Sequence, residues 1–265
     1  MSRKAPIAND CYWEHGLPVE QHYPCIDGQS TVCPRCCVEN CPIESPELFA
    51  SCAAAGHPTW PSASRGVPTK LVCLESAWDN SVFSTPSVKG FLESLGPLIH
   101  PPLRVAHRFI ASAQHLSHYT RYPGGALWVD AHAWDVPIFY LAFHGAPGTV
   151  HSALDQIGPD VLCDAFSNYG GYDSLVYFAA CSVLRGKAGR DFARQFLAAS
   201  GVRAVIGYTT DVNWVNSLVV DLLFLHRFYK HSDPWGCLSE IHESVVRDFR
   251  PAKKMGYTLV SAAGS

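Results

Sequence analysis

Phe139-Tyr-Leu-Ala-Phe-His144-Gly145 and Val176-Tyr-Phe-Ala-Ala-Cys181-Ser182 are the two runs whose reading decides the fold. Each is an apolar, β-type stretch that stops at one reactive side chain, an imidazole in the first and a thiol in the second. Set side by side in a parallel sheet, the two runs deliver both groups to one sheet edge. That is a cysteine–histidine dyad, the minimum equipment for covalent attack on a carbonyl.

The flanking sequence supports such a sheet. Lys70–Glu75, Pro102–Phe109, Pro137–Phe143, Ser174–Ala180, Val202–Tyr208 and Tyr257–Ser261 read as short strands. Between them, helical patterns are expected over Ser87–Leu95 with Ser87 as N-cap, Ser112 to about Tyr122, 126–134, Gly189–Ser200, Asn213–Lys230 and Trp235–Phe249. Gly201 suits the position just past a helix. Strands alternating with helices predict an α/β domain, a mostly parallel sheet with helices on both faces. Functional groups collect at the carboxyl ends of such strands. His144, Cys181 and Asp211 each stand at or just past one. Gly-x-Ser-x-Gly, phosphate-loop and dinucleotide fingerprints are absent, which weakens serine hydrolase, nucleotidase and dehydrogenase readings.

The chain has 265 residues, 48% of them hydrophobic, and a formal charge of -3, enough for one substantial core with a small appendage. That charge gives no reason to expect nucleic acid as a partner. No apolar stretch approaches bilayer length, and no apolar region follows the basic Met1-Ser-Arg-Lys start, so a cytoplasmic protein without a membrane partner is expected.

A cysteine ending a buried strand is usually a small hydrophobe, and a histidine near a turn is usually on the surface. The context raises both above that reading. Gly145 permits a close backbone approach, and its N–H can form half of an oxyanion hole. Ser182 opens a polar turn in which Arg185 and Lys187 would favour the thiolate if they point inward.

Strand–His-Gly followed by strand–Ala-Cys-Ser resembles the caspase-like cysteine peptidase fold, over roughly residues 69 to 261. Leu-Glu-Ser-Ala-Trp (74–78), Tyr-Leu-Ala-Phe-His-Gly (140–145) and Gly-Tyr-Thr-Thr-Asp-Val-Asn-Trp (207–214) look similar to bacterial CHAT-like members of that group. The interval from His144 to Cys181 is short for it, and Gly148-Thr-Val looks like a trimmed form of its small hairpin. The Cys-Ser-Val-Leu that follows is not the pentapeptide of true caspases. The resemblance implies that Cys181 attacks a scissile carbonyl and that His144 protonates the leaving amine. It also implies that the N–H groups of Gly145 and Cys181 hold the oxyanion, with no obligatory third side chain. It points to Asp211 as the acid of a specificity pocket for Arg or Lys. The alternative for Asp211 is an N-cap of the helix near Asn213. Trp214 is either a wall of the substrate site or ordinary core, the second being the commoner fate of a tryptophan. Asp79 and Asp135 are weaker alternative acids.

The first 66 residues form a separate, irregular segment, with residues 67–265 as the α/β domain. Seven of the eleven cysteines lie in this front. Cys33-Pro-Arg-Cys36 is a zinc-knuckle spacing, and with Cys25 and Cys41 it makes a candidate ligand set for one structural zinc. Cys11, Cys52, His15, His22 and His57 are further candidates, and the competing reading is a redox-sensitive segment without metal. No organic cofactor is expected.

His144 and Cys181 together favour an enzyme, and the resemblance implies a cysteine endopeptidase acting on protein or peptide substrates, with Arg or Lys before the scissile bond. A catalytically silent scaffold that recruits a regulatory protein through the front, and a cysteine amidase or thioesterase, are the alternatives.

Overall fold

The computed structural model describes residues 23–24, 31–32, 69–78, 86–100, 102–121, 125–127, 136–167 and 174–261. The chain divides into two units, Met1–Arg65 and Gly66–Ser265. In the first, the described residues are β1 (Tyr23–Pro24) and β2 (Thr31–Val32), an antiparallel pair. The cysteines and histidines of the front, the residues of its expected boundary, Asp79, Asp135 and most of the helix expected over 126–134 lie outside the described residues.

The second unit is built on β3 (Lys70–Glu75), β4 (Arg104–Phe109), β5 (Ile138–Ala142), β9 (Leu175–Ala179), β10 (Ala204–Tyr208) and β11 (Tyr257–Ser261). They form one six-stranded sheet in the order β11-β10-β9-β5-β3-β4. All neighbours are parallel except β10 and β11. The expected mostly parallel α/β sheet is therefore the observed one. Its central strands are buried along their length, as continuous apolar runs such as Ile138-Phe-Tyr-Leu-Ala142 require.

The helices are α1 (Lys89–Leu95), α2 (Ala113–Thr120), α3 (Pro159–Ala165), α4 (Gly186–Ser200), α5 (Trp214–Lys230), α6 (Leu238–Asp248) and α7 (Arg250–Lys254). Strand alternation assigns their faces. Ile138, Tyr140, Ala142, Leu175, Tyr177, Ile206 and Tyr208 share a core with Leu92 of α1, Phe224 and Phe228 of α5, and Val245 of α6. On the opposite face, Phe139 meets Phe166 at the end of α3, and Phe178 meets Phe192 and Phe196 of α4.

The helix boundaries carry local chemistry. Asn213 caps α5 by accepting the Asn216 N–H at 3.2 Å. Gly201 closes α4 in the left-handed region, φ 72°, with its N–H on Leu197 O. Ser112 caps α2 through the His115 N–H. Ser87 departs from expectation: α1 starts at Lys89 with Val88 as cap residue, and Ser87 Oγ donates to Glu75 while accepting the Lys89 N–H. A buried acid, invisible to periodicity, has claimed the hydroxyl. The short helices α3 and α7 are absent from the sequence expectations, as is β8 (Gln156–Ile157), which extends the β6 (His144–Ala146) and β7 (Thr149–His151) pair into an antiparallel meander. Gly148, φ 71°, makes the turn between β6 and β7, where Gly148-Thr-Val had suggested a small hairpin.

A second buried acid, Asp221, points from α5 into the sheet. Its carboxylate accepts the hydroxyls of Tyr140, Tyr177 and Tyr208, one from each of three adjacent strands, and it is 1% exposed. Burial pushes its pKa up to about 6 against the pull of the three phenol hydrogen bonds. The same burial raises all three tyrosines well above their usual range, so they remain donors.

Candidate active site

Register brings the two opening runs together. β5 and β9 pair in parallel from Ile138 with Leu175 to Ala142 with Ala179. His144 and Cys181 each lie two residues beyond the last pair, with the same alternation phase as Ala142 and Ala179. Both residues therefore stand at the carboxyl edge of the sheet, just past neighbouring strand ends.

The backbones touch just past that edge. A Cβ built on Gly145 would lie 2.3 Å from the Cys181 carbonyl oxygen, 2.8 Å from a Val183 methyl and 3.0 Å from Ala180 Cβ. Only glycine fits there, so the histidine run and the cysteine run are packed main chain against main chain. The Gly148 N–H adds a hydrogen bond to Val183 O at 2.8 Å.

Cys181 is a free, partly buried thiol, and its sulfur accepts the Val212 N–H at 3.4 Å. Val212 follows β10, so the ends of β9 and β10 meet at the sulfur. The next residue, Ser182, has φ 58°, rare for a side chain with a Cβ, and is 2% exposed. Its N–H is bound to Thr210 O at 2.9 Å, and its hydroxyl donates to Asp211 Oδ1 at 2.6 Å. The turn that holds the cysteine is thus tied to the β10–α5 connection from both backbone and side chain.

His144 is exposed on its outer side and held on the other. Its Nε2 lies 2.8 Å from Trp78 O. A carbonyl only accepts, so Nε2 carries the proton, and Nδ1 is the nitrogen with a lone pair. The Trp78 ring also meets the imidazole edge-on at 5.4 Å and Trp214 edge-on at 4.6 Å.

Trp78 is held by Glu75, the last residue of β3. This carboxylate is fully buried and accepts four hydrogen bonds. Oε1 takes the Trp78 indole N–H at 2.6 Å and the Val88 N–H at 2.8 Å, while Oε2 takes the Ser87 hydroxyl and His107 Nε2, each at 2.6 Å. Burial pushes its pKa up, but His107, Ser87, Trp78 and Val88 together bring it below the usual carboxylate value. The His107 side chain is itself 7% exposed and comes from the adjacent strand β4.

The remaining expectations divide. Asp211 is at the same edge, but Asn213 rather than Asp211 caps α5. Its carboxylate holds Ser182 and, at 3.1 Å, the Arg185 guanidinium, and these two partners keep its pKa low. Arg185 and Lys187 were candidates to face the thiol. Arg185 turns to Asp211 and to Thr209 O, and Lys187 pairs with Asp191 along α4, because an (i, i+4) acid on the same helix is the nearer partner. Trp214 is not ordinary core: it is 37% exposed and meets Trp78 edge-on, with Val215 beside it 65% exposed.

The zinc candidates Cys25, Cys33, Cys36 and Cys41 lie outside the described residues. Among the described residues, no cluster of three or more His, Cys, Asp or Glu is placed to hold a metal, and no helix is long and apolar enough to cross a membrane. A cleft of about 350 Å³ lined by Leu184, Gly189, Arg190, Thr209 and Thr258 opens beside the Ser182 turn, and neither His144 nor Cys181 lines it.

Glu75 and Trp78 entered the sequence reading only inside a motif, His107 only within an expected strand, and Ser182 only as the opening of a turn. The signal for the buried pair was present: Glu75 ends an otherwise apolar strand, and His107 interrupts the next one.

No protein-family model and no curated protein matches the sequence. Among solved structures, caspase-1 from Spodoptera frugiperda aligns at 12% identity and a TM-score of 0.41, over 73% of this chain and 85% of that one. At that level nothing about the chemistry of this site follows from the likeness.

Proposed function

We propose that the Gly66–Ser265 unit is a cysteine endopeptidase in which Cys181 is the nucleophile and His144 the acid–base partner. The reading is carried by one observation, the common register of the two residues: each stands two positions beyond the Ala142–Ala179 pair and in the same phase. A thiol and an imidazole at the ends of neighbouring strands are the parts that acyl transfer needs.

His144 Nδ1 takes the Cys181 proton, and the sulfur adds to the scissile carbonyl carbon. The resulting oxyanion is met by the backbone N–H groups of Gly145 and Cys181. The imidazolium then gives the proton to the leaving amine. Water, deprotonated by the same nitrogen, opens the thioester and regenerates the thiol.

Asp211 is the proposed selector of Arg or Lys on the acyl side of the scissile bond, with Trp214 as an apolar wall beside it. Its exposed carboxylate already holds a guanidinium, that of Arg185. A substrate cation therefore competes with Arg185, and Arg185→Ala lowers KM for Arg and Lys substrates if Asp211 is the selector. A structural zinc on Cys25, Cys33, Cys36 and Cys41 is proposed for the front, and metal analysis of the purified chain tests it.

The test of the main proposal is cleavage of a peptide library by the full chain, read by mass spectrometry. Products ending in Arg or Lys are expected, absent with Cys181→Ala and reduced with Asp211→Ala. Products ending in other residues refute the Asp211 assignment. Cleavage unaffected by Cys181→Ala refutes Cys181 as the nucleophile, and no cleavage of any peptide refutes the peptidase.

A further inference from the structure

Glu75 is an unusual residue to find at the end of a buried strand. It has 0% exposure, and each carboxylate oxygen is used twice. Burying a carboxylate costs free energy even when every hydrogen bond is made. A residue that only joined α1 and β4 to β3 could do so with apolar packing. The carboxylate does something apolar packing cannot: it fixes the rotation of the Trp78 indole through a 2.6 Å hydrogen bond to Nε1.

The orientation of Trp78 is the orientation of His144. The His144 imidazole hydrogen-bonds to Trp78 O at 2.8 Å and meets the Trp78 indole edge-on at 5.4 Å. Three anchors define the Trp78 segment. The Ser76 N–H binds Ala142 O at 2.9 Å, continuing the β3–β5 ladder, and Ser76 Oγ accepts the Ala153 N–H at 3.0 Å. These two fix the main chain before Trp78. The third, the indole hydrogen bond to Glu75, fixes the side chain that lies against the imidazole.

We propose that Glu75 is a positioning residue for His144, acting through Trp78 and held in turn by His107 and Ser87. Resting on the acid–base role proposed for His144, the relay runs from Glu75 to the Trp78 indole, then from the Trp78 carbonyl and ring to the imidazole. Its effect is to keep the proton on Nε2 and the lone pair on Nδ1. The relay touches neither substrate nor thiol. Its loss lowers the rate of proton transfer.

The experiment reads His144 directly. Imidazole ¹⁵N shifts, assigned with His144→Gln, report which ring nitrogen carries the proton, and iodoacetamide alkylation followed over pH reports Cys181. Wild type is expected to show the Nε2–H form. Trp78→Phe keeps an aromatic ring but has no N–H for Glu75. It is expected to mix the two tautomers and slow alkylation near neutral pH about tenfold or more. Glu75→Ala should do the same. Glu75→Gln retains an oxygen acceptor for the indole and is expected to restore the wild-type shifts.

A folded Trp78→Phe protein with pure Nε2–H shifts and wild-type alkylation overturns the proposal. So does a folded Glu75→Gln protein that behaves as Trp78→Phe does. Should Glu75→Ala fail to fold, Trp78→Phe and Glu75→Gln still decide. No substrate enters these measurements. A protein that cleaves nothing yet shows the expected shifts removes the peptidase reading and leaves the relay, whereas cleavage with unmoved shifts removes the relay alone.

Discussion

Glu75 and Asp221 are both acids sunk into the same sheet, yet burial has opposite outcomes for them. Glu75 at the carboxyl edge is held below the ordinary carboxylate range, whereas Asp221 under the sheet is pushed up to about 6. In both, loss of water is the largest influence and raises the pKa. The difference lies in how far the partners offset it. Glu75 receives an imidazole, an indole N–H, a hydroxyl and a backbone N–H, and they outweigh desolvation. Asp221 receives three tyrosine hydroxyls at full burial, and they do not. A buried acid is therefore defined by its donors as much as by its depth. The two also serve different ends. The donors of Asp221 come from β5, β9 and β10, so it holds α5 in one register on the sheet. Those of Glu75 reach Trp78 and hence the candidate site.

The sharpest way to break this contrast is to remove each carboxylate. Glu75→Ala strands the indole N–H, the Val88 N–H, the Ser87 hydroxyl and His107 at once, and should destabilise the fold by about 3–5 kcal/mol in urea titrations. A loss below about 1 kcal/mol would mean that the four hydrogen bonds contribute little.

The next effect is on pH dependence, where the two acids have opposite signs. Asp221 is raised in the fold, so the folded state keeps its proton after the unfolded state has lost it. Its contribution to stability therefore falls as pH rises from about 4 to about 6 and is flat above, for a total of about 3 kcal/mol. Glu75 is depressed, so its contribution is present above the unfolded pKa and is lost as pH falls through the lower folded one. Asp221→Asn should flatten the decline between pH 4 and 6 in melting curves and leave the acid limb in place. An unchanged decline would show that Asp221 ionises in the fold as it does in the unfolded chain.

The smallest effect belongs to a third acid. Asp211 is exposed, and its pair with Arg185 is open to solvent and salt. Arg185→Ala should leave the melting temperature unmoved while changing KM for cationic substrates, separating a site residue from a structural one. A clear drop in melting temperature would instead make the Ser182–Asp211–Arg185 cluster part of the structural framework.

Much of the sheet was legible because its strands are short apolar runs ending in marked residues. Lys70–Glu75 and Tyr257–Ser261 match residue for residue, and the others are displaced by one or two positions at their ends, where main-chain pairing rather than hydrophobicity sets the limit. His144 and Cys181 were legible for the same reason, as polar stops on apolar runs. Strand pairing was not. Ile138 opposite Leu175 is a fact of register, and periodicity within one strand carries no information about its neighbour.

Glu75 and Asp221 were readable only as anomalies. Asp221 falls on the buried stripe of α5 with Ser217, Val220, Phe224 and Phe228, where an acid has no place unless donors await it. Those donors, Tyr140, Tyr177 and Tyr208, are spread over sixty-eight residues of sequence and meet only in the folded sheet. The β6–β8 meander was hidden because strands of two or three residues have too few side chains to show alternation.

The central claim is that Cys181 and His144 act as one unit on a carbonyl. An acyloxymethyl ketone bearing Arg or Lys tests it most directly, with the adduct located by mass spectrometry of the intact full chain and its peptides. A single adduct on Cys181 is expected, abolished by Cys181→Ala, strongly reduced by His144→Ala and reduced by Asp211→Ala. No adduct on a Cys181 that iodoacetamide alkylates, or an adduct that forms as fast without His144, would contradict it.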